Sequence, residues 1–272
     1  MENITIKKEV VDSKFEYTAF KDEVKLASIN GKIQNEHSYW LLRYESSNSN
    51  DEEALVASLQ KAFYDDCVKS NAKVRIELNT KSEKAKWFME KSNFVEAYVS
   101  YVFEHDLNGI NEPEFKFDLK PFKEVSLSEY QKVYFESSKG DPQIDLTGLN
   151  ASEFYVQDKK EFDDLWNEDL MYTVMHSDEV LGVLNLRTMP HPKTGKKEGA
   201  INYLGLMPSQ RKKGFGKALH LTGLKKLKDL GCESYYGGTD SFNVGMLKIF
   251  EANNCTRAEE QYCYKTRLKV ES

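Results

Sequence analysis

The sequence predicts a mixed α/β fold, arranged as two units in tandem, and three observations support this prediction. Apolar runs typical of strands alternate with amphipathic helical segments through the C-terminal half. One apolar strand there ends at Met207-Pro208 and leads through a glycine-bearing turn into a helix. The N-terminal half shows a fainter strand–helix–strand order. Because each such element buries one apolar face, the alternation predicts sheets flanked by helices.

Two helices are predicted at the start of the C-terminal half. Ser126 and Glu129 have the three-residue spacing of a capping box, which predicts a helix beginning there. The Asp141-Pro142 pair ends that pattern, because proline cannot continue a helix. A second helix is predicted from Ser152 to Trp166.

Strands and helices then alternate to the C-terminus. The short polar segment His176–Glu179 separates two apolar runs and predicts a hairpin. Gly231 predicts the end of the helix that follows Gly216. The predicted strands are Met171–Met175, Val180–Met189, Ala200–Met207, Cys232–Gly237 and Tyr262–Leu268, and a further helix runs from about Asn243 to Asn253.

The N-terminal half repeats part of this pattern. Four identities between the halves share one ungapped offset of 161 residues. They favour a tandem duplication with a linker near Gly109–Glu114, although chance similarity of two helix–strand units is the alternative. The predicted domains are therefore 1–112 and 113–272. The identical pairs are Glu90 with Glu251, Asn93 with Asn254, Tyr101 with Tyr262 and Leu107 with Leu268.

Composition limits the classes of partner. The chain has 272 residues, 40% hydrophobic content and a formal net charge of −6, which argues against nucleic-acid binding. It contains neither a signal-peptide pattern nor an apolar run that would span a bilayer, so we expect a cytoplasmic protein without a membrane partner. Its four cysteines are scattered without metal-ligand spacing, so neither zinc nor a disulfide framework is expected. The histidines His191 and His220 are expected at the surface or its boundary.

The turn after the Ala200–Met207 strand predicts a phosphate site. Its core is Arg-x-x-Gly-x-Gly, and glycines let an anion approach the free backbone amides at a helix start. The spacing fits neither a P-loop nor a dinucleotide fingerprint, whose third glycine would replace Leu219. The residues of this turn are Arg211, Lys212, Lys213, Gly214, Phe215, Gly216 and Lys217.

The N-terminal half has no counterpart to this site. The segment where its corresponding helix would begin contains Asp51-Glu52-Glu53 and no glycine. Three carboxylates would repel a pyrophosphate. The N-terminal half is therefore predicted to be structural or to shape a substrate pocket.

Arg211-x-x-Gly214-x-Gly216 resembles the signature of the GNAT acetyltransferase superfamily, and residues 240–251 resemble its second motif. In that motif Asn243 starts a helix and an aromatic residue, here Phe250, follows seven residues later. Phe88–Phe94 is similar to the family's Leu-Tyr-Glu-Lys-x-Gly-Phe. The resemblance covers roughly residues 117–272. It implies two GNAT folds in tandem, the first degenerate, each a mixed and mostly antiparallel sheet with splayed central strands flanked by helices.

The resemblance also implies a site for acetyl-CoA. The pantetheine arm would insert between two splayed strands and pair with backbone groups of Leu204, Gly205 and Leu206. Gly205 and Pro208 suit a bulge there. The amide of Leu206 would donate to the thioester oxygen. The pyrophosphate would bind the turn at 211–217, and Asn243 and Phe250 would complete the cofactor site. Asn243 has a second possible role as a helix cap, either alone or together with its contact to the cofactor.

The implied reaction is direct attack of an amine on acetyl-CoA, without a metal. The acceptor is an unidentified small molecule or protein amine. Glu198 is a candidate base, two residues before Ala200, where some family members have Glu. The family's usual acid, a Tyr, is Phe250 here. Either the thiolate leaves unaided, or Tyr262 or Tyr264 replaces the acid, the alternative for both tyrosines being core residues.

Two other functions stay open at this point. The protein would be a non-catalytic acyl-CoA-binding or sensing protein if Phe250 and Ala200 abolish chemistry. A tRNA-dependent aminoacyl transferase is disfavoured by the acidic chain and by the CoA-type turn. The oligomeric state, monomer or homodimer, is not predicted.

Overall fold

A computed structural model describes residues 4–35, 38–47, 52–69, 73–79, 95–142, 144–162 and 165–267. Packing divides the chain into an N-terminal unit, residues 1–100 with 259–272, and a C-terminal unit, residues 101–258. Packing therefore assigns residues 101–106 to the C-terminal unit and residues 259–267 to the N-terminal unit. The division into sequence copies at 112/113 stays a prediction.

The two units contain twelve described strands and five described helices. The strands are β1 (Ile4–Val11), β2 (Lys14–Lys21), β3 (Val24–Asn35), β4 (Ser38–Ser46), β5 (Lys73–Asn79), β6 (Val95–Asp106), β7 (Asp118–Pro121), β8 (Met171–His176), β9 (Glu179–Pro190), β10 (Lys197–Leu206), β11 (Ser234–Asp240) and β12 (Thr256–Arg267). The helices are α1 (Glu52–Lys69), α2 (Leu127–Ser138), α3 (Ala151–Phe162), α4 (Phe215–Asp229) and α5 (Val244–Ala252). Among the described residues, no helix is both long and apolar enough to cross a membrane.

The N-terminal unit is a sheet in the order β1-β2-β3-β4-β5-β12, with α1 packed against it. Strands β4 and β5 are parallel, as expected when a helix connects them. The core includes Phe15, Tyr17 and Phe63. Helix α1 begins at Glu52, and the exposed Glu53 in its first turn favours the helix dipole but would repel a bound anion. The residues Glu90 and Asn93 of the internal repeat lie outside the described residues.

The C-terminal unit is a sheet in the order β6-β11-β10-β9-β8-β7. The pairs β7–β8, β8–β9 and β9–β10 are antiparallel, whereas β10 and β11 are parallel. Alternate side chains of β8 enter two cores: Tyr172 packs with α4 and α5, whereas Met171 packs with α2 and α3. Since successive side chains of a strand point to opposite faces, helices cover both faces of the sheet. The predicted fold class, a mixed sheet flanked by helices, is confirmed.

Most of the predicted local elements are confirmed. Ser126 Oγ accepts from the Glu129 amide at 3.2 Å and Glu129 Oε2 accepts from the Ser126 amide at 3.0 Å, which completes the capping box. The β8–β9 hairpin turns at Ser177 and Asp178, both left-handed with φ of 50° and 65°. Helix α3 ends at Phe162, earlier than predicted, and β12 begins at Thr256, earlier than predicted.

Candidate active site

The central strands of the C-terminal unit separate from one another. Strands β10 and β11 are ten and seven residues long, yet they pair in parallel only at Glu198–Ser234 and Gly199–Tyr235. From Ala200 onward the edge of β10 that faces β11 is not paired with it. This opening is the splay that the family resemblance predicted.

The antiparallel ladder with β9 fixes which backbone groups face the opening. The Met207 amide donates to the Leu181 carbonyl at 2.8 Å, so this pair is hydrogen-bonded. Because hydrogen-bonded and non-hydrogen-bonded pairs alternate, the amides of Leu204 and Leu206 point away from β9, into the opening. The backbone groups of Gly205 point toward β9. Two of the three predicted pairing residues, Leu204 and Leu206, thus present their amides to the opening.

The bulge in β10 lies at Asn202, not at the predicted place near Gly205 and Pro208. The register with β9 passes from Ile201–Leu186 to Tyr203–Asn185, which leaves Asn202 unpaired. Gly205 instead permits close packing. A Cβ there would lie 2.6 Å from Tyr203 Cε1 and 2.9 Å from the Ser137 Cβ of α2. That contact depends on tertiary packing and leaves no local sequence signal.

The glycine-bearing turn forms an open helix start. Lys212 and Gly214 are left-handed, with φ of 62° and 88°. Gly214 is the N-cap of α4 and offers no side chain to the first amides of this fifteen-residue helix. Those amides and the positive end of the helix dipole therefore face solvent beside exposed Lys212 and Lys217. We refer to residues 211–217 as the anion seat.

The side chain of Arg211 does not point outward with the lysines. Its Nε donates to the Leu206 carbonyl and its Nη2 to the Ser137 carbonyl, both at 2.9 Å. Arg211 thus ties the end of β10 to the end of α2. Lys213 donates to Gln210 at 2.9 Å, whereas Lys212 and Lys217 make no ion pair within the described part of the chain.

Arg211→Ala is expected to lower the free energy of unfolding by about 2–3 kcal/mol. It removes two hydrogen bonds from a charged donor to carbonyls that are then left underpaired. Denaturant unfolding measures this loss. Lys213→Ala, an exposed cation two residues later, serves as the control and should change stability by less than about 0.5 kcal/mol. Equal losses in the two variants would contradict the role of Arg211.

Asn243 lies at the same edge of the sheet as the end of β10, because β11, which precedes Asn243, is parallel to β10. Its Oδ1 accepts from the Met246 amide at 3.1 Å, so it caps α5. A Cβ on Gly216 would lie 3.0 Å from Ile249 Cδ1, which shows how closely α5 packs against the anion seat. The second predicted role of Asn243, contact with a ligand in the opening, stays a prediction.

A cavity of about 220 Å³ adjoins the anion seat. Gly214, Lys217 and Ala218 of the α4 start form one wall, and Asn253 and Asn254 after α5 form another. His105 of β6 and linker residues complete the lining, with Leu221 and Ala252. The linker residues are Gly109, Ile110, Asn111, Glu112 and Glu114.

Phe250 lies in the core. Its side chain is 1% exposed and its ring stacks on Phe103 with centroids 4.3 Å apart. The rings of His220 and Tyr235 lie 5.2 and 6.4 Å away. The predicted contact of Phe250 with a cofactor therefore has no support from this buried position, and it stays a prediction.

His220 is buried, so its expected surface location is wrong. It is 0% exposed, and the amide nitrogen of Asn253 contacts its Nδ1 at 2.9 Å and donates to the Lys217 carbonyl at 3.0 Å. An amide nitrogen only donates, so Nδ1 is the acceptor and the ring proton resides on Nε2, 3.5 Å from the Tyr235 hydroxyl. His220, Tyr235 and Asn253 lie on different elements, so the sequence does not predict this hydrogen-bond network.

Acid is expected to destabilise the protein through His220. Burial, with a contribution from His105, lowers the pKa of His220 to about 3 from 6.5. Because the folded state resists protonation, the stability due to neutral His220 is fully present above pH 6.5 and is lost as the pH falls toward 3. The loss in the free energy of unfolding reaches about 3 kcal/mol at pH 4. Thermal unfolding between pH 7 and 4 measures it. His220→Gln should show a shallower pH dependence, and an unchanged slope would contradict this assignment.

Glu198 is distant from the end of β10. It lies at the start of the strand, 5% exposed, and accepts a hydrogen bond from Ser234 Oγ at 3.0 Å. Eight residues separate it from Leu206, about 26 Å of extended strand. A carboxylate at that distance has no direct reach to a group at Leu206. Tyr262 packs against the core of the N-terminal unit, and the side chain of Tyr264 lies outside the described residues.

Residues 143–254 match the family described as Acetyltransferase (GNAT) family. No curated protein sequence matches the chain. The fold is similar to that of a GCN5-related N-acetyltransferase from Sphaerobacter thermophilus, with 12% identity, a TM-score of 0.67 and coverage of 94% of this chain and 82% of that one. A GNAT-family acetyltransferase from Colwellia psychrerythraea has 13% identity, a TM-score of 0.56 and coverage of 92% and 85%.

A tandem GNAT protein from the clavulanic acid biosynthesis pathway is also similar, with 8% identity, a TM-score of 0.62 and coverage of 97% of this chain and 86% of that one. At these identities the structures establish the fold. The sequence match relates residues 143–254 to the GNAT acetyltransferase family. This fold supports acyl transfer in general.

Proposed function

We propose that the protein is an N-acetyltransferase that uses acetyl-CoA and a primary amine. The observation that carries this proposal is the continuity of two features. The open edge of β10, with the amides of Leu204 and Leu206, leads directly to the anion seat at the start of α4. A ligand with amides in its extended arm and phosphates at one end matches both features.

Acetyl-CoA would lie along β10 with its pyrophosphate on the backbone amides of residues 212–217. Lys212 and Lys217 supply positive charge, and Gly214 and Gly216 allow close approach. The pantetheine amides pair with Leu204 and Leu206, as a strand would. Asn243 closes the far side of the opening, and the cavity beside Lys217 accepts the remaining nucleotide.

The reaction would be direct transfer. The neutral amine attacks the thioester carbon, and the Leu206 amide donates to the oxygen that becomes negative. The tetrahedral intermediate collapses with cleavage of the C–S bond. The amine proton passes to water. The thiolate of CoA leaves and takes a proton from solvent, since its conjugate acid has a pKa of about 8.5. No side chain is assigned as base, since Glu198 is out of reach.

The test is turnover. The protein is mixed with acetyl-CoA and a panel of primary amines, and free thiol and the mass of the acetylated amine are measured together. Amine-dependent thiol release with formation of the amide supports the proposal. Retention of acetyl-CoA without turnover on any amine would instead identify a non-catalytic acyl-CoA-binding or sensing protein, which the buried Phe250 and the distant Glu198 favour.

We infer further that the N-terminal unit is a degenerate copy without a CoA site. Its helix α1 begins with Glu52 and Glu53 in place of glycines and cations. The similarity to a tandem GNAT protein over most of the chain supports two copies. We also propose a cytoplasmic location, from the composition and the free cysteines Cys232, Cys255 and Cys263.

A further inference from the structure

A carboxylate lies within an aromatic cluster between α2, α3 and β10. The Tyr134 ring lies 5.0 Å from Phe154 and 5.2 Å from Tyr203, and Trp166 lies 6.4 Å from Tyr134. Asp158 projects from α3 into this cluster, where its Oδ2 accepts a hydrogen bond from the Tyr134 hydroxyl. The function proposed above assigns no role to this cluster.

The charge of Asp158 has no positive partner. Within the described ranges, no lysine or arginine forms an ion pair with it, and the Tyr134 hydroxyl is its hydrogen-bond donor. Burial raises the pKa of Asp158 from 3.8 to about 6, so the group is charged at neutral pH in spite of its surroundings. A partly buried carboxylate without a cation is unfavourable, and a cationic ligand would relieve that cost.

The cluster borders the open edge of β10. The Tyr203 ring packs edge-on against Tyr134 at 79° and lies so close to Gly205 that a Cβ there would be 2.6 Å from it. Gly205 stands between Leu204 and Leu206, whose amides face the opening. Asp158 is thus separated from the strand by the Tyr134 and Tyr203 rings. A cation bound to Asp158 would therefore be a different group from the nitrogen that attacks the thioester near Leu206.

We propose that Asp158 binds a positively charged group of the acceptor, so that the preferred acceptor is an amine with a second cationic centre, such as an alkyl diamine. This inference rests on the proposed function. One nitrogen is neutral and reacts near Leu206, while the other remains protonated at Asp158. The Tyr203 ring, which is partly exposed, provides a face for the alkyl chain between the two nitrogens and for the cation.

The groups around Asp158 favour a cation at neutral pH. Burial raises the pKa values of Tyr130, Tyr134 and Tyr203 above the ordinary value, so these hydroxyls stay neutral. Glu161, on the same helix, adds negative charge. Since Asp158 is charged only above its pKa, diamine affinity is expected to fall as pH drops below about 6.

The experiment measures binding, without turnover, to the full-length protein saturated with CoA. Calorimetry at pH 8 compares 1,4-diaminobutane with 1-aminobutane. We expect the diamine to bind at least about tenfold more tightly in the wild type, and Asp158→Asn to abolish that preference. Glu161→Gln removes a second carboxylate three residues later and should weaken amine binding slightly but retain the preference for the diamine. Tyr134→Phe keeps the ring and the charge of Asp158 and should also retain the preference. Heat denaturation confirms that each variant is folded.

Three outcomes would overturn the inference: equal affinity of the wild type for both amines, an unchanged preference in Asp158→Asn, or equal losses in Asp158→Asn and Tyr134→Phe. The last would mean that Asp158 only anchors Tyr134. Failure of the proposed function is separate. A wild type that prefers the diamine but never acetylates it retains this site, whereas one that acetylates both amines equally retains the function and loses the site.

Discussion

Gly214→Glu is expected to abolish measurable binding of CoA, a loss of at least about a hundredfold in affinity, while the protein stays folded. Gly214 lies in the left-handed region and caps α4, with the first amides of the helix open beside it. A glutamate there would place a carboxylate on those amides and repel the pyrophosphate. The nearest atom to a new Cβ is Phe115 Cε2 at 3.7 Å, so space is not the obstacle. Calorimetry with CoA measures the loss.

Gly195→Glu is the matched control for this change. Gly195 is also left-handed, with φ of 70°, and a Cβ there meets no atom within 4 Å. The control thus carries the same backbone strain and the same added charge in the β9–β10 turn, away from the anion seat. It should bind CoA as the wild type does. Unchanged CoA affinity in Gly214→Glu would refute the assignment of residues 211–217.

Gly182→Ala is expected to lower the free energy of unfolding by about 3 kcal/mol and to weaken CoA binding at least about tenfold. Gly182 of β9 lies opposite Leu206, and a Cβ there would lie 1.9 Å from the Gly205 carbonyl oxygen. Because the clash is with backbone, the end of β10 must move, and overpacking of this kind is costly. Denaturant unfolding and calorimetry measure the two effects.

Gly245→Ala tests whether any added methyl near the site has the same result. Gly245 is exposed in α5, and the nearest atom to its Cβ would be Asn243 Oδ1 at 3.8 Å. We expect no loss of stability, since alanine favours helix. If Gly182→Ala behaved like Gly245→Ala, the β9–β10 contact would not position the open edge.

Features encoded by neighbouring residues could be predicted from the sequence. The capping box at Ser126 and the hairpin at Ser177-Asp178 depend on contacts within four residues, and both are present. The anion seat could also be predicted from the sequence, because two glycines at fixed spacing after a strand determine the local backbone. Gly214 is left-handed, a conformation that glycine adopts more readily than any other residue.

Features that depend on long-range pairing could not be predicted. The bulge was expected near Gly205 but lies at Asn202, since its position is set by the register with β9. The sequence predicts Arg211 as a residue of the phosphate-binding turn, yet carbonyls of β10 and α2 hold its side chain. The partners of His220 and Asp158 lie on different elements. Likewise, no local signal shows that residues 259–267 pack with the N-terminal unit.

The most direct test of the central claim is a crystal structure of the protein with acetyl-CoA. We predict one molecule, with its pyrophosphate on the amides of residues 212–217 and its pantetheine amides paired with Leu204 and Leu206 between β10 and β11. The N-terminal unit should bind none. A structure in which acetyl-CoA occupies another surface, or in which β11 closes against the Leu204–Leu206 edge with the ligand present, would contradict the account.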